Sequence, residues 1–295
     1  MSLWSAVQNA ISEATGLDFV IESRERVTGG DINQSYRISG QRQGCFKHTY
    51  FVKINHASRI ELFHAEINGL KALAESNSFK IPQVITIGKT QSSSFLVLEF
   101  LELASKEDIK TFAKNLAQMH QSTHSNFGFV KDNFIGLTAQ PNQWSSEWID
   151  FYSEQRIGYQ LELLTQKSVA TKFLNKVKIL QQNIPEFFQD YSPKPALVHG
   201  DLWSGNYAFD ENELPVIFDP ACYYADHEVD LAMLELFGNP GNEFFETYHQ
   251  YYPIDSGYQR RKNLYNLYHI LNHINLFGES YLQQAESMLS ILLRK

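Results

Sequence analysis

Two lobes of the α+β class, β-rich first and mostly helical after, are what this 295-residue sequence predicts. Up to Glu102 the apolar residues fall in short strand-like runs parted by Gly, Asn, Ser and Thr. Beyond it they recur at helical spacing, and only Ala196-Leu197-Val198 and Val216-Ile217-Phe218 interrupt. The expected lobes are 1–102 and 103–295, with a hinge at Glu99 to Leu103.

In order, Ser2 can cap a first helix with Leu3, Val7, Ile11 and Ala14 along one face, stopping at Gly16. Phe19-Val20-Ile21 and Arg26-Val27 are strand segments leading to a Gly29-Gly30 turn, and Tyr36-Arg37-Ile38 returns. Tyr50-Phe51-Val52-Lys53-Ile54 forms a third strand. Leu62, Phe63, Ile67, Leu70 and Leu73 give Ile60 to Glu75 the spacing of a helix. Val84-Ile85-Thr86-Ile87 and Phe95-Leu96-Val97-Leu98-Glu99-Phe100 are two more strands, split by a polar turn from Thr90 to Ser94. Helices are expected over Lys106 to Gln121, Trp144 to Thr165, Val169 to Gln182 and most of the chain beyond Asp226. No internal repeat, low-complexity tract or long linker is visible.

Composition narrows the class. With 43% apolar and 14% aromatic residues the chain can fill a sizeable core. A net charge of −8 with scattered Lys and Arg argues against a nucleic-acid or anionic-membrane surface. Cys45 and Cys222 make neither a disulfide framework nor a cysteine zinc site. The start, Ser2-Leu3-Trp4-Ser5-Ala6-Val7, lacks the basic region of a signal peptide, and no apolar run reaches bilayer-spanning length. A reducing cytoplasm is the expected compartment.

The chemistry concentrates in His199-Gly200-Asp201-Leu202-Trp203-Ser204-Gly205-Asn206, followed by Phe218-Asp219-Pro220. Phosphoryl transfer from ATP needs a carboxylate to take the proton of the attacking hydroxyl. It also needs an amide oxygen and a second carboxylate for the magnesium that bridges the phosphates. Asp201 and Asn206 stand at the spacing of the protein-kinase H-R-D-x-x-x-x-N segment, and the strand Val216-Ile217-Phe218 delivers Asp219. Asp201 is therefore the candidate base, with Asn206 and Asp219 as metal ligands. A solvated polar loop is the competing reading; the flanking apolar strands speak against it.

Lys53, on the third strand, can reach the α- and β-phosphates if Glu66 on the next helix holds its ammonium. Gly29 and Gly30 stand where a phosphate-covering loop belongs, although no third glycine completes G-x-G-x-x-G. At the lobe junction, the Glu99 carbonyl and the Leu101 N–H can meet an adenine edge. His120/His124 and His269/His273 are i, i+4 pairs without the Glu of H-E-x-x-H or an evident third ligand, so zinc is not the reading. His199 is expected to orient the loop rather than act as base. Asp226 and Asp230 suit a helix N-terminus, and Asp230 is expected to tie the loop backbone in place.

These residues resemble the fructosamine kinases (ketosamine 3-kinases), a branch of the aminoglycoside-phosphotransferase and protein-kinase-like fold. Beyond the generic Asp201, Asn206 and Asp219, the likeness rests on Trp203 inside the loop, Phe127-Gly128-Phe129 and Asp132-Asn133-Phe134-Ile135-Gly136. Pro141-Asn142-Gln143-Trp144, Trp148-Ile149-Asp150-Phe151 before Arg156, and Ala221-Cys222-Tyr223-Tyr224-Ala225-Asp226 before Asp230-Leu231-Ala232 extend it over nearly the whole chain. The resemblance implies ATP- and Mg²⁺-dependent phosphorylation of O3 of ketosamines, sugars joined to amines by glycation, whose phosphates then decompose and free the amine. Ribulosamines or erythrulosamines are the sugars expected of bacterial-looking relatives. Trp203 is the candidate sugar platform, its indole offering a flat apolar face. The alternatives are another small-molecule kinase of this fold, acting on an aminoglycoside, choline or homoserine, and a silent nucleotide-binding scaffold.

Overall fold

The computed structural model describes residues 2–28, 32–42 and 47–294. Helix α1 (Leu3–Thr15) starts where the Ser2 hydroxyl accepts from the Ser5 N–H at 3.2 Å, and it ends at Gly16, whose φ of +68° suits glycine. Strands β1 (Phe19–Val27), β2 (Gln34–Arg42), β3 (Lys47–His56), β4 (Val84–Lys89) and β5 (Ser93–Glu99) form one antiparallel sheet, ordered β1-β2-β3-β5-β4. β1 is continuous where two short segments were expected. A register shift between Ile21 and Ser23 lets the polar stretch between them keep pairing with β2.

Side-chain alternation sorts the sheet's two faces. Tyr50, Val52 and Ile54 of β3, with Phe95 and Val97 of β5, pack toward Val7 and Ile11 of α1. The alternate residues Leu96 and Leu98 pack against Phe63, Ile67 and Leu70 of α2 (Ile60–Glu75). Each fully buried Leu or Phe here contributes about 1.5–3 kcal/mol. Lys53 has the parity of the α2 face.

The remainder is mostly helical: α3 (Ile109–His120), α4 (Trp148–Tyr152), α5 (Tyr159–Thr165), α6 (Thr171–Asn183), α7 (Glu228–Leu236), α8 (Asn242–Tyr251), α9 (Tyr258–Phe277) and α10 (Leu282–Leu292). α3 begins later than Lys106 because Asp108 caps it, accepting from the Thr111 N–H at 3.0 Å. The single helix expected over Trp144 to Thr165 is instead α4, a π-helical turn at Ser153–Gly158, and α5. Trp144 precedes them in a segment tied to Phe127 through Ser145, and its ring stacks on His124 at 4.3 Å.

Short strands cradle the segment from His199 to Asp219. β6 (Leu103–Ala104), β10 (Tyr207–Asp210) and β11 (Pro215–Ile217) make one sheet. β9 (Ala196–Val198) pairs with β12 (Tyr223–Ala225), and β7 (Asn133–Ile135) with β8 (Thr138–Gln140). Among the described residues no helix is long and apolar enough to cross a membrane.

Candidate active site

Lys53 reaches the site because its neighbours Val52 and Ile54 are claimed by the α1 face. Its Nζ lies 2.6 Å from Glu66 Oε1 and also contacts Asp219, with its side chain 5% exposed. Burial alone would lower the pKa of the ammonium. The charges of Asp219 and Glu66 outweigh it and hold Lys53 above the ordinary lysine range. The Glu66 carboxyl is pushed up by its own burial, against the pull of Lys53. One turn past Glu66, a Cβ on Gly69 would stand 2.8 Å from the Pro220 ring, so glycine lets α2 close onto the residue after Asp219.

The loop that leaves β9 is held from beneath. Asp230 on α7 accepts from the His199 N–H at 2.7 Å and the Gly200 N–H at 2.9 Å, as its place in the sequence suggested. Its burial would favour protonation, but bonds to His120 and the His199 backbone win and keep it an anion. His120 Nε2 is 3.2 Å from Asp230, and its Nδ1 is 2.6 Å from the Tyr248 hydroxyl. Gly200 has φ +81°, and a Cβ there would come within 2.3 Å of the Ala221 carbonyl oxygen. Buried His199 donates from Nε2 to the Phe218 carbonyl at 3.0 Å and accepts the Asp201 N–H at Nδ1 (3.3 Å). That pattern is a neutral imidazole, and burial lowers its pKa. It ties the Asp201 and Asp219 segments together.

Asn206 Nδ2 donates to the Asp201 carbonyl at 2.8 Å and to Asp201 Oδ2 at 3.1 Å. The amide oxygen is thereby turned away from Asp201. Asp219 adopts φ +59°, a left-handed conformation uncommon for a non-glycine residue and frequent at functional sites. Burial, with the Asp219 charge adding to it and the Asn206 bond opposing, pushes the Asp201 carboxyl up to about 7.

Lys53, Glu66, Asp201, Asn206 and Asp219 line one cavity of about 430 Å³, with Trp203 on its wall. Trp203 is 37% exposed, and its ring covers Gly205, where a Cβ would sit 2.4 Å from it.

The family model described as Fructosamine kinase matches residues 3–295. A probable ketoamine kinase of Synechocystis sp. is 45% identical over 99% of this chain and 97% of its own. The chain belongs to the fructosamine kinase family. A chloroplastic protein-ribulosamine 3-kinase of Oryza sativa subsp. japonica is 37% identical, covering 99% of this chain and 82% of that protein. The crystal structure of a putative fructosamine-3-kinase from Haemophilus somnus superposes with a TM-score of 0.88 at 31% identity, over 99% and 98% of the two chains. This chain thus shares its two-lobed, protein-kinase-like α+β fold with that structure.

The donor set fits a magnesium ion: a carboxylate at Asp219, the amide oxygen of Asn206, and a cavity open to phosphate oxygens. The Lys53 ammonium already engages Asp219 as a cation would. Gly29 and Gly30 lie outside the described residues. Glu99 ends β5, its N–H donating to the Gln83 carbonyl at 2.8 Å, and Leu101 follows in the junction; neither lines the cavity.

One wall was missed from sequence. His269, Asn272, His273 and Leu276 share a face of α9 and line the cavity. The sequence shows the i, i+4 histidines, and Asn272 and Leu276 at the same helical spacing are the signal for a cavity-facing stripe. Burial keeps both imidazoles neutral, with His269 pushed down to about 3. Neutral imidazoles can donate to and accept from sugar hydroxyls.

Proposed function

We propose that this protein transfers the γ-phosphoryl group of ATP to O3 of ketosamines, with small sugars such as ribulosamine preferred. Membership of the fructosamine kinase family makes it an ATP-dependent phosphotransferase acting on a sugar hydroxyl. The observation that supports the site assignment is one cavity lined together by a half-buried Asp201, Lys53, Asp219, Trp203 and the imidazoles of His269 and His273.

In this reading Asp201 receives the O3 proton as the O3–phosphorus bond forms and the bond from phosphorus to the ADP oxygen breaks. The raised affinity of Asp201 for a proton suits a general base working near neutral pH. Lys53, steadied by Glu66, holds the α- and β-phosphates. Asn206 and Asp219 would hold Mg²⁺, which supplies charge neutralisation for the phosphates when bound. Trp203 packs against the sugar, and Glu99 and Leu101 offer their backbone to adenine. Residues 1–102 serve as the nucleotide lobe, and 103–295 carry the acceptor site. A reducing, ATP-containing cytoplasm is the compartment this implies. Phosphorylation at O3 sets up loss of phosphate and release of the amine.

The test is ATP consumption with ribulose-, erythrulose- and fructose-lysine beside an aminoglycoside, choline and homoserine. Turnover confined to ketosamines, fastest with the smaller sugars, is expected. Turnover only with one of the others would overturn the substrate assignment.

A further inference from the structure

The π-helical turn at Ser153–Gly158 drives Arg156 into the core, where it is 0% exposed. Its guanidinium lies 4.0 Å from the Tyr223 ring centroid and 4.6 Å from that of Phe151. Among its acceptors are three amide oxygens: the Pro141 carbonyl at 2.6 Å, the Gln155 carbonyl at 3.1 Å and Asn142 Oδ1 at 2.7 Å. No ion pair among the described residues includes it, and its Nε finds no acceptor there. A buried cation without a carboxylate is costly to keep for stability alone. Single π turns, moreover, occur often at functional sites.

Arginine can only donate, so Asn142 must turn its oxygen toward Arg156 and its Nδ2 inward. That Nδ2 donates to Asn133 Oδ1 at 2.9 Å, and Gln140 Nε2 donates to the same oxygen at 2.7 Å. Asn133 is thereby left with its own Nδ2 for the Cys222 carbonyl, at 2.8 Å, while Gln140 Nε2 also reaches the Ala221 carbonyl at 3.2 Å. The guanidinium at one end and the Ala221 and Cys222 carbonyls, which can only accept, at the other agree on one polarity for the whole line of amides. That line ends on the backbone two and three residues past Asp219, and Ala221 O is the atom against which Gly200 packs.

We propose that Arg156 is a positioning residue for the reaction: through Asn142, Asn133 and Gln140 it sets the backbone at 221–222, and with it the left-handed Asp219 and the seat of the catalytic loop. This rests on the role given to Asp219 above. The test uses the full chain with Arg156→Met, Arg156→Lys, Asn133→Ala and the double variant Arg156→Met/Asn133→Ala. Misplacing the reacting groups should lower kcat at saturating ATP and ketosamine by at least about tenfold in Arg156→Met, with KM for the sugar changed less than about threefold. Lysine should not rescue, because an ammonium cannot reproduce the fork that meets Pro141 and Asn142 together. Calorimetric ADP binding should need at least about threefold more Mg²⁺ at half-saturation, a readout independent of turnover. Asn133→Ala should do the same, and the double variant should be no worse than the poorer single one. A lowered Tm with unchanged kcat and unchanged Mg²⁺ dependence would overturn the proposal, as would losses that multiply in the double variant. Should Arg156→Met fail to fold, Arg156→Lys and Asn133→Ala decide by the same measurements. A wild type inactive on every ketosamine would contradict the function instead, and Mg²⁺-dependent ADP binding would still report on Arg156.

Discussion

The five-stranded sheet and the segment from His199 to Ala225 hold their functional side chains by different means. In the sheet, Lys53 is placed by parity: apolar neighbours bury one face, and the lysine falls on the other, opposite Glu66. In the later segment, little is periodic. Asp201 and Asp219 are set by backbone N–H groups bonded to Asp230, by His199 bridging two loops and by left-handed turns. A sheet tolerates the loss of one apolar contact as lost stability. A loop held by buried polar groups loses its geometry, because each broken bond strands a partner.

The largest effect should come from Asp201→Asn, which should lower kcat by about 10²–10⁴-fold while leaving Mg-ATP binding largely intact. The wild-type kcat/KM should rise with pH toward a bend near 7, since only the carboxylate accepts a proton and its pKa is raised to about 7. The residual rate of Asp201→Asn should lack that bend. Stability should move the opposite way. A folded-state pKa above the ordinary 3.8 means the fold prefers the protonated acid, so the wild type loses stability as pH rises through that interval. Asp201→Asn should therefore show its greatest gain in Tm over the wild type at pH 8 and little gain at pH 4; a constant difference would count against a raised Asp201.

Next in size is Asp230→Ala. It strands the N–H groups of His199 and Gly200 and the buried His120, and loss of one partner of such a buried set costs about 3–5 kcal/mol. Both Tm and kcat should fall, and a normal kcat in the folded fraction would refute loop anchoring. Trp203→Ala is smaller: about tenfold in kcat/KM for the ketosamine, with ATP binding unchanged. Equal loss of ATP affinity would make Trp203 a packing residue. Leu98→Ala sharpens the contrast from the other side, costing about 2–5 kcal/mol of stability while kcat of the folded enzyme stays within about twofold. A collapse of kcat there would erase the distinction between the two regions.

Much of this was legible in the sequence, for a physical reason. Alternation at Tyr50–Ile54 and Phe95–Leu98 and helical spacing from Ile60 to Leu73 are local patterns that burial imposes on the chain. The loop residues stood out because metal and proton chemistry would fix residue type and spacing, and Asp201, Asn206 and Asp219 do line one cavity. What escaped depends on distant partners. The three-residue strands β7 and β12 have too few side chains to show a period and exist through their pairing. The π turn between α4 and α5 buries an arginine whose partners Pro141 and Asn142 lie in another segment. The α9 stripe was seen as two histidines but needed the cavity to give it a direction.

The most direct test is to incubate the protein with ATP, Mg²⁺ and a synthetic ribulosamine and to locate the phosphate by phosphorus–proton correlation NMR. The account predicts a phosphorus coupled to the proton on C3, formed by the wild type and nearly absent with Asp201→Asn. Phosphate on another hydroxyl, or equal product from Asp201→Asn, would contradict it.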